Sequence, residues 1–319
     1  MRTPFRCLSS WRRLALRPVP RRLLVAFLAS AVLLPAASFN WPVPQPRLVS
    51  TFADNSIDHF QPGIELGGRQ PVYPAAEGEI VFTCREGEGY SSFPRGIGSA
   101  VVLQHEGGIQ SVYAHLETES MRVDDPLVRT PAEGDPPLAF SGDTGAAVGQ
   151  GLLFMLIDLE EGEFLNPIKH DKPLLYPPLE SGKSNRGPVV GRLFLKRGGI
   201  LEELTDGSRA AAGEGELLAE IYALSTFSAF LRKTAPYRIY LAKNGQAAAS
   251  IAFESLREQD GRLVVADSSL GFADLFEDAW LYRLGSIALV EGKIELQIKA
   301  ESHDGSESER IIDLTVASE

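Results

Sequence analysis

The sequence predicts an all-β fold built as two successive domains. The chain has 319 residues, of which 44% are hydrophobic, so it is too long for one small domain and too apolar for a disordered chain. Its 30 glycines and 21 prolines supply turn signals between short apolar runs, while helical periodicity is weak and no internal repeat is found. Many short strands separated by turns are typical of β-sandwiches and barrels.

Residues 1–38 are predicted to be an N-terminal signal peptide. Seven arginines and no acidic residue lie in this segment, and residues 23–34 form an apolar run, with Ser30 as its one polar residue, followed by Pro35 and small residues. A transmembrane helix needs about 20 apolar residues, so this shorter run favours a cleaved secretory signal. An uncleaved membrane anchor is the alternative. Either interpretation predicts an extracytoplasmic protein, periplasmic or secreted, with membrane contact only through an uncleaved signal.

The charge balance excludes nucleic acid as a partner. Without residues 1–38 the chain keeps 24 Lys and Arg against 42 Asp and Glu, a formal net charge of −18. Such a chain repels polyanions and anionic membrane surfaces. Cys7 and Cys84 are the two cysteines, and Cys7 lies in the predicted signal, which excludes a disulfide scaffold and a Cys-rich metal site.

Residues 39–176 are predicted to form the first β domain. Its clearest strand candidates are residues 72–73, 78–82, 100–105, 110–115 and 152–158. Residues 177–188 follow as a predicted linker, because this stretch carries several prolines and glycines and little apolar content.

Residues 189–319 are predicted to form a second β domain. Apolar and polar residues alternate over residues 294–299, as in a strand with one buried and one wet face. Asn244-Gly245 between two apolar runs is a strong signal for a tight hairpin turn, and residues 272–281 are predicted to form one short helix. About seven strands in about 130 residues favour an immunoglobulin-like β-sandwich.

Five sequence blocks between Val49 and Pro167 carry a family resemblance. In chain order they are residues 58–65 (DHFQPGIE), 71–81 (PVYPAAEGEIV), 113–116 (YAHL), 134–135 with 141–145 (GD and SGDTG), and 149–154 (GQGLLF). Together they resemble the lysostaphin/LytM-type zinc endopeptidases, which cut peptidoglycan cross-bridges. The resemblance implies a LytM-like β-sandwich of the duplicated hybrid motif type for residues 39–176.

The resemblance also implies where a zinc site would lie, and this sequence departs from the family pattern there. A catalytic zinc takes three protein ligands and leaves one position for water. The three ligand positions hold Gln61, Glu65 and Leu153 in this chain. Two further family histidines act on the water or the developing oxyanion, and here one position holds Gly151 while the other keeps His115.

These residue types predict a degenerate zinc site. Leu153 has no lone pair, and Gln61 offers only a neutral amide oxygen, which is a poor donor to zinc. Glu65 has one methylene more than aspartate, which moves its carboxylate by about 1.5 Å, against a tolerance of about 0.2 Å for metal distances. We therefore expect no bound metal and no other cofactor, and a His115 that is retained but inactive. Gly151 and Leu153 share one strand face, which predicts an apolar cleft floor.

His59 and Tyr113 are the remaining candidates for the lining of the cleft. His59 lies two residues before Gln61 and would share its face in an extended strand. Tyr113 precedes His115 by two residues in the YAHL block. Both are expected to border the cleft.

Three functions are open at this point. The first is a non-catalytic envelope factor that binds peptidoglycan peptide or a partner protein such as a cell-wall hydrolase. The second is an active zinc metalloendopeptidase whose atypical ligands would be His59, Glu65 and His115. The third is a structural envelope module. Zinc is a cofactor only under the second hypothesis.

Overall fold

The protein is described by a computed structural model that covers residues 39–318 except 57, 88–94, 124, 133, 170–173, 180–184 and 226–231. The predicted signal peptide lies outside the described residues and stays a prediction. Within the described part of the chain, no helix is long and apolar enough to span a membrane. The same part contains 27 strands and a single four-residue α-helix, which confirms the all-β class.

The first predicted domain contains fourteen strands. They are β1 (Phe39–Asn40), β2 (Leu48–Ser50), β3 (Asn55–Ser56), β4 (His59–Phe60), β5 (Ile64–Gly67), β6 (Pro71–Val72), β7 (Gly78–Cys84), β8 (Ser99–Gln104), β9 (Ile109–Leu116), β10 (Leu127–Val128), β11 (Ala139–Phe140), β12 (Gly151–Asp158), β13 (Glu163–Leu165) and β14 (Leu175–Tyr176). The longer strand predictions are confirmed as β7, β8, β9 and β12.

These four strands form the centre of one antiparallel sheet. Its order is β10-β7-β8-β9-β12-β13, with β5 beside the first half of β12 and β2 beside β5. Large side chains such as Leu103, Tyr113 and Phe154 fill the main core on one face. Because side chains alternate along a strand, Leu153 belongs to a smaller apolar cluster on the other face.

The C-terminal part contains two further sheets. Its elements are β15 (Asn185–Arg197), β16 (Ile200–Leu204), β17 (Arg209–Ala211), β18 (Gly213–Ser225), β19 (Arg232–Thr234), β20 (Arg238–Lys243), β21 (Gln246–Ala252), β22 (Ser255–Gln259), β23 (Arg262–Val265), α1 (Phe272–Leu275), β24 (Phe276–Asp278), β25 (Leu281–Leu289), β26 (Gly292–Glu301) and β27 (Glu307–Ala317). The order β16-β15-β18-β25-β24, with β19 beside β18, makes one sheet, and β17-β27-β26-β20-β21 makes the other. The immunoglobulin-like assignment of this part stays a prediction.

Of two local predictions in the C-terminal part, the hairpin turn is confirmed and the helix is only partly correct. Asn244 and Gly245 have φ values of 51° and 72°, which suit a tight turn between β20 and β21 and confirm the predicted hairpin. The predicted helix over residues 272–281 is wrong beyond α1. Phe276 instead begins β24, because its pairing with β25 and its stacking on Phe272 outweigh the short helical pattern.

The predicted linker, residues 177–188, overlaps a strand at its C-terminal end. β15 begins at Asn185, inside the predicted linker, and pairs with β18 from its first residue. A shift of register between Arg186 and Pro188 lets the strand accommodate a proline, which has no N–H to donate to the ladder. Composition alone did not reveal that this stretch joins a sheet.

The sheet of the first part continues into the C-terminal part. β13 pairs with β22, and β22 pairs with β23. Beside this continuation the buried ring of Phe60 packs against Phe253, Phe272 and Phe276, with ring centroids 5.6 to 6.1 Å apart. We call the contact built on these four rings the junction. It holds the start of the first sequence block against the C-terminal part.

Candidate functional site

Three strands of the first part meet at one small niche. β5 contributes Glu65, the end of β9 contributes His115, and the start of β12 contributes Gly151. The other lining residues are Val49, Leu66, Gly67, Ala147, Val148, Gly149, Gln150 and Leu152. The niche has a volume of about 20 Å³. A cavity of that size holds one group about as large as a water molecule.

His115 is fixed in one tautomer. Its Nδ1 lies 2.8 Å from the carbonyl oxygen of Thr144, and because a carbonyl oxygen only accepts, Nδ1 carries the hydrogen. Nε2 is then the lone-pair nitrogen, and it has no hydrogen-bond partner among the described residues. His115 also has a φ of 63°, a left-handed conformation that is uncommon outside glycine and is often found at functional sites.

The surroundings of His115 favour the neutral form of its ring. The side chain is only 5% exposed, and this burial lowers the pKa of His115, although the bond to Thr144 and the charges of Glu65 and Glu86 oppose the shift. Glu86 is held near the niche because the N–H of Gly145 donates to its Oε1 over 3.2 Å. The niche therefore combines a neutral acceptor nitrogen with nearby carboxylates.

Leu153 places a hydrocarbon side chain on the strand next to Glu65. It lies opposite Glu65 on one neighbouring strand and opposite Ala114 on the other. The side chain is 7% exposed and belongs to an apolar cluster whose members are Ala100, Val112, Ala114, Leu153 and Met155. This cluster occupies the position at which the family resemblance implies the third zinc ligand.

Gln61 and Gly151 differ in their relation to the niche. Gln61 is buried, its N–H donates to Asp54 O over 2.9 Å, and it is not one of the described residues that line the niche. Gly151 does line it, and a Cβ at this position would lie 3.0 Å from the carbonyl oxygen of Leu66. A large side chain at position 151 therefore fits only if β5 moves.

The prediction that His59 lines the cleft is wrong in this structure. Its side chain is 57% exposed, and its Nδ1 lies 2.9 Å from Oδ1 of Asp58. β4 ends at Phe60, so His59 and Gln61 do not share the face of one extended strand. His59 is a surface residue beside a surface carboxylate.

Tyr113, the other predicted lining residue, points into the main core instead. It is fully buried, and its hydroxyl accepts hydrogen bonds from the N–H of Ala75 over 2.7 Å and from Oγ of Ser111 over 3.0 Å. Burial raises the pKa of Tyr113 to about 12. The residue lies two positions before His115, but the left-handed backbone at His115 ends the simple alternation that the prediction assumed.

The donor set at the niche does not fit a catalytic zinc. Glu65 and His115 supply one carboxylate and one imidazole, whereas such an ion takes three protein ligands. Across the described ranges, no group of three or more His, Cys, Asp and Glu side chains is arranged to hold a metal. No metal-dependent step follows from this arrangement.

The order of these elements agrees with a known family. Residues 59–167 match the model of peptidase family M23. We call this segment the M23 region. A separate family model without a functional description matches residues 187–317. An uncharacterized protein of Treponema pallidum (strain Nichols) is 26% identical over 125 residues, which cover 37% of this chain and 84% of that protein.

Solved structures resemble the M23 region in part. A zinc-containing peptidase from Vibrio cholerae is 22% identical with a TM-score of 0.31, over 37% of this chain and 36% of that chain, so the match spans about a third of that peptidase. The catalytic domain of lysostaphin from Staphylococcus simulans is 19% identical with a TM-score of 0.29, over 36% and 81%. A chain of the SpoIIQ–SpoIIIAH pore-forming complex is 17% identical with a TM-score of 0.31, over 39% and 85%. At these scores the likenesses carry no inference about activity.

Two residues of the M23 region that act on the niche were not singled out from the sequence. Glu86 lies in a Gly- and Glu-rich run that by itself indicates only a solvated loop. Thr144 lies within the SGDTG block, so the resemblance marked its loop but not its contact with His115. Each of them lies 29 residues from His115 in the sequence, and only the folded chain brings them near it. No local sequence pattern indicates these contacts.

Proposed function

We propose that this protein is a non-catalytic envelope factor that uses the niche and the surface around it to bind peptidoglycan peptide or a partner protein such as a cell-wall hydrolase. The observation that carries the proposal is Leu153, an aliphatic side chain opposite Glu65 in the sheet. The strands that position the site are present, while the donor set that would hold a catalytic ion is not.

Magnitudes support a binding role over a hydrolytic one. General acid–base catalysis by a single side chain contributes about 10² to 10⁴ in rate, whereas enzymes typically accelerate their reactions by about 10⁶ or more. A metal ion closes that gap by activating water and polarising the scissile carbonyl. His115 with Glu65 offers a polar contact surface and lacks the third ligand.

We also propose an extracytoplasmic location for the chain. The basic, apolar N-terminal segment supports export, and export brings the M23 region to the compartment that contains peptidoglycan. The charge of −18 after residue 38 disfavours adsorption to anionic wall polymers. Binding to the envelope would therefore rely on shape and hydrogen bonds within a confined site.

The alternative is an active zinc endopeptidase with His59, Glu65 and His115 as ligands. It is the less favoured proposal because the side chain of His59 is 57% exposed beside Asp58 and His59 is not one of the described residues that line the niche. The alternative would need His59 to leave the surface and reach the niche.

The deciding experiment measures zinc content, peptidase activity and binding on the purified mature chain. We expect far less than one zinc per chain after dialysis, no shortening of cross-linked muropeptides, and enrichment on purified sacculi or with a cell-wall hydrolase. Gly151→Ala, which adds a methyl group at the lining of the niche, should lose that enrichment, while Glu160→Gln on an exposed loop should keep it.

Two results would overturn the proposal. One zinc per chain that survives dialysis, together with cleavage of muropeptides, establishes the peptidase alternative. A wild-type chain that retains neither sacculi nor a hydrolase points to a structural module instead.

A further inference from the structure

The residues that line the niche limit the class of ligand that it can bind. Its described lining contains one carboxylate, Glu65, and one imidazole, His115, and none of those lining residues carries a positive charge. The carboxylate of Glu86 lies close enough to influence His115 as well. An anionic group would meet repulsion here, and a cationic group would meet attraction.

The two titratable side chains of the niche, Glu65 and His115, offer hydrogen-bond acceptors. Nε2 of the buried His115 offers a lone pair with no partner among the described residues, and Glu65 offers carboxylate oxygens. Two backbone donors of the wall are already used, since the N–H of Gly67 donates to Arg47 O over 2.8 Å and that of Gly151 to Gly142 O over 2.8 Å. A ligand that donates several hydrogen bonds therefore matches the site.

The volume sets the size of that ligand group. About 20 Å³ accommodates one group the size of a water molecule, so a peptide backbone or a sugar ring does not fit inside. A primary ammonium group is small enough, carries a positive charge and has three N–H donors. A quaternary ammonium group has the same charge, is larger and has no donor.

We propose that the niche binds a primary ammonium group of a peptide ligand, which donates hydrogen bonds to the carboxylate of Glu65 and to Nε2 of His115. This inference rests on the proposed binding function and names the group that the site recognises. The amine belongs either to a lysine-like side chain or to the α-amino end of a peptide. Hydrogen bonds to charged partners are the stronger class and confer geometric selectivity.

The experiment follows the ring signals of His115 by NMR in the mature chain with isotopically labelled histidine. The probes are Nα-acetyl-lysine methylamide for the side-chain amine and alanine methylamide for the α-amine. Two further probes are controls: the Nε-trimethylated lysine derivative, which keeps the charge, and the norleucine derivative, which keeps the length. We expect saturable shifts of His115 with a primary amine, and no saturable shift with either control.

Two variants distinguish a direct contact between the amine and Glu65 from a general effect of the negative charge of the chain. Glu65→Gln keeps the shape of the side chain and removes its charge, and should weaken amine binding roughly tenfold to hundredfold. Glu160→Gln removes the same charge from an exposed loop and should leave the affinity unchanged. His59, which is exposed, serves as an internal reference for nonspecific effects.

Each outcome decides the inference. Saturation by either primary amine supports it, and the tighter probe identifies the source of the group. Equal shifts with the trimethylated probe, or equal weakening by both variants, would reduce the effect to general electrostatics and overturn it. If no amine shifts His115 while the wild-type chain is still enriched on sacculi or with a hydrolase, the ammonium site is refuted and the proposed function stands.

Discussion

The niche and the junction use residues of the same short chain segment, Glu65 and Phe60, and they differ in the contacts that those residues make. The niche is lined by Glu65 and His115, and Leu153 lies opposite Glu65 in the sheet. The junction buries Phe60 among aromatic rings of the C-terminal part. The backbone that positions the site is therefore fixed by apolar packing, to which Leu66 and Leu152 of the niche lining also belong, and not by the polar side chains of Glu65 and His115. A donor set can be absent from such a site without loss of the fold.

Truncation at the junction should have the largest effect on stability. Phe60→Ala removes a fully buried ring and should lower the free energy of unfolding by about 3–5 kcal/mol. Urea denaturation of the mature chain measures this loss. Leu159→Ala, at a half-exposed position of the same region, is the matched control and should change stability by less than about 1 kcal/mol. A small loss for Phe60→Ala would mean that the junction does not support the M23 region.

A buried acid beside the junction should make stability depend on pH. Burial raises the pKa of Asp54 to about 7, although the hydroxyl of Ser50, the charge of Arg232 and backbone N–H groups act in the opposite direction. The ring of Tyr282, from the C-terminal part, packs on Phe276 of the junction and feels the charge of Asp54. Asp54 is therefore protonated in the folded chain at pH values where it is ionised in the unfolded chain.

The sign of this dependence follows from the raised pKa. The contribution of Asp54 to stability is fully present below about pH 4 and is lost as the pH rises to about 7, by up to about 4 kcal/mol. Asp54→Asn should remove that loss and leave the variant more stable than the wild-type chain at neutral pH. Asp58→Asn, on the surface, should leave the pH profile unchanged. Parallel profiles for wild type and Asp54→Asn would show that Asp54 is not the titrating group.

Local sequence patterns predicted the strands that carry the site better than they predicted how strands assemble. Alternation and turn signals located β7, β8, β9 and β12, and the Asn244-Gly245 turn was confirmed. The pairing of β13 with β22 was not predicted, since it joins segments about 90 residues apart in sequence. The end of α1 at Leu275 was missed for a similar reason, because contacts within the junction decide it.

The candidate site was predicted in its residue types and only partly in its geometry. Register alone brings Glu65 and Leu153 together, as expected for neighbouring strands. The failures at His59 and Tyr113 have local causes, a strand that stops at Phe60 and a left-handed backbone at His115. The left-handed backbone leaves no mark in the residue pattern, because histidine carries no turn signal. The strand end at Phe60 does leave one, since Pro62-Gly63 is a turn signal, and the expectation for His59 did not use it.

Restoring the three ligand positions that the resemblance assigns should create a zinc site at Glu65, next to the niche, at a moderate cost in stability. The variant with Gln61→His, Glu65→Asp and Leu153→His supplies three donors at the positions that the resemblance assigns, and should bind one zinc per chain. An imidazole in the apolar cluster around position 153 should cost about 1–3 kcal/mol in the absence of metal.

The control for this experiment is the variant with Gln61→His and Glu65→Asp alone. It lacks the third ligand and should gain no tightly held zinc, as measured by metal analysis after dialysis. A folded triple variant without zinc would contradict the assigned correspondence of positions 61, 65 and 153. That result would not bear on the packing at the junction.

Gly151→Ala should have the smallest effect on the stability of the fold and should abolish binding of the amine in the niche. The added methyl group would lie 3.0 Å from Leu66 O, a tight contact that a shift of a few tenths of an ångström relieves. The smaller freedom of alanine in the unfolded chain offsets part of that strain, so unfolding should change by less than about 1 kcal/mol. The same methyl group is added to a residue that lines a niche of about 20 Å³, so amine-induced shifts of His115 should disappear. A stability loss as large as that of Phe60→Ala would mean instead that the niche helps to hold the sheet together, and that site and scaffold are not separable.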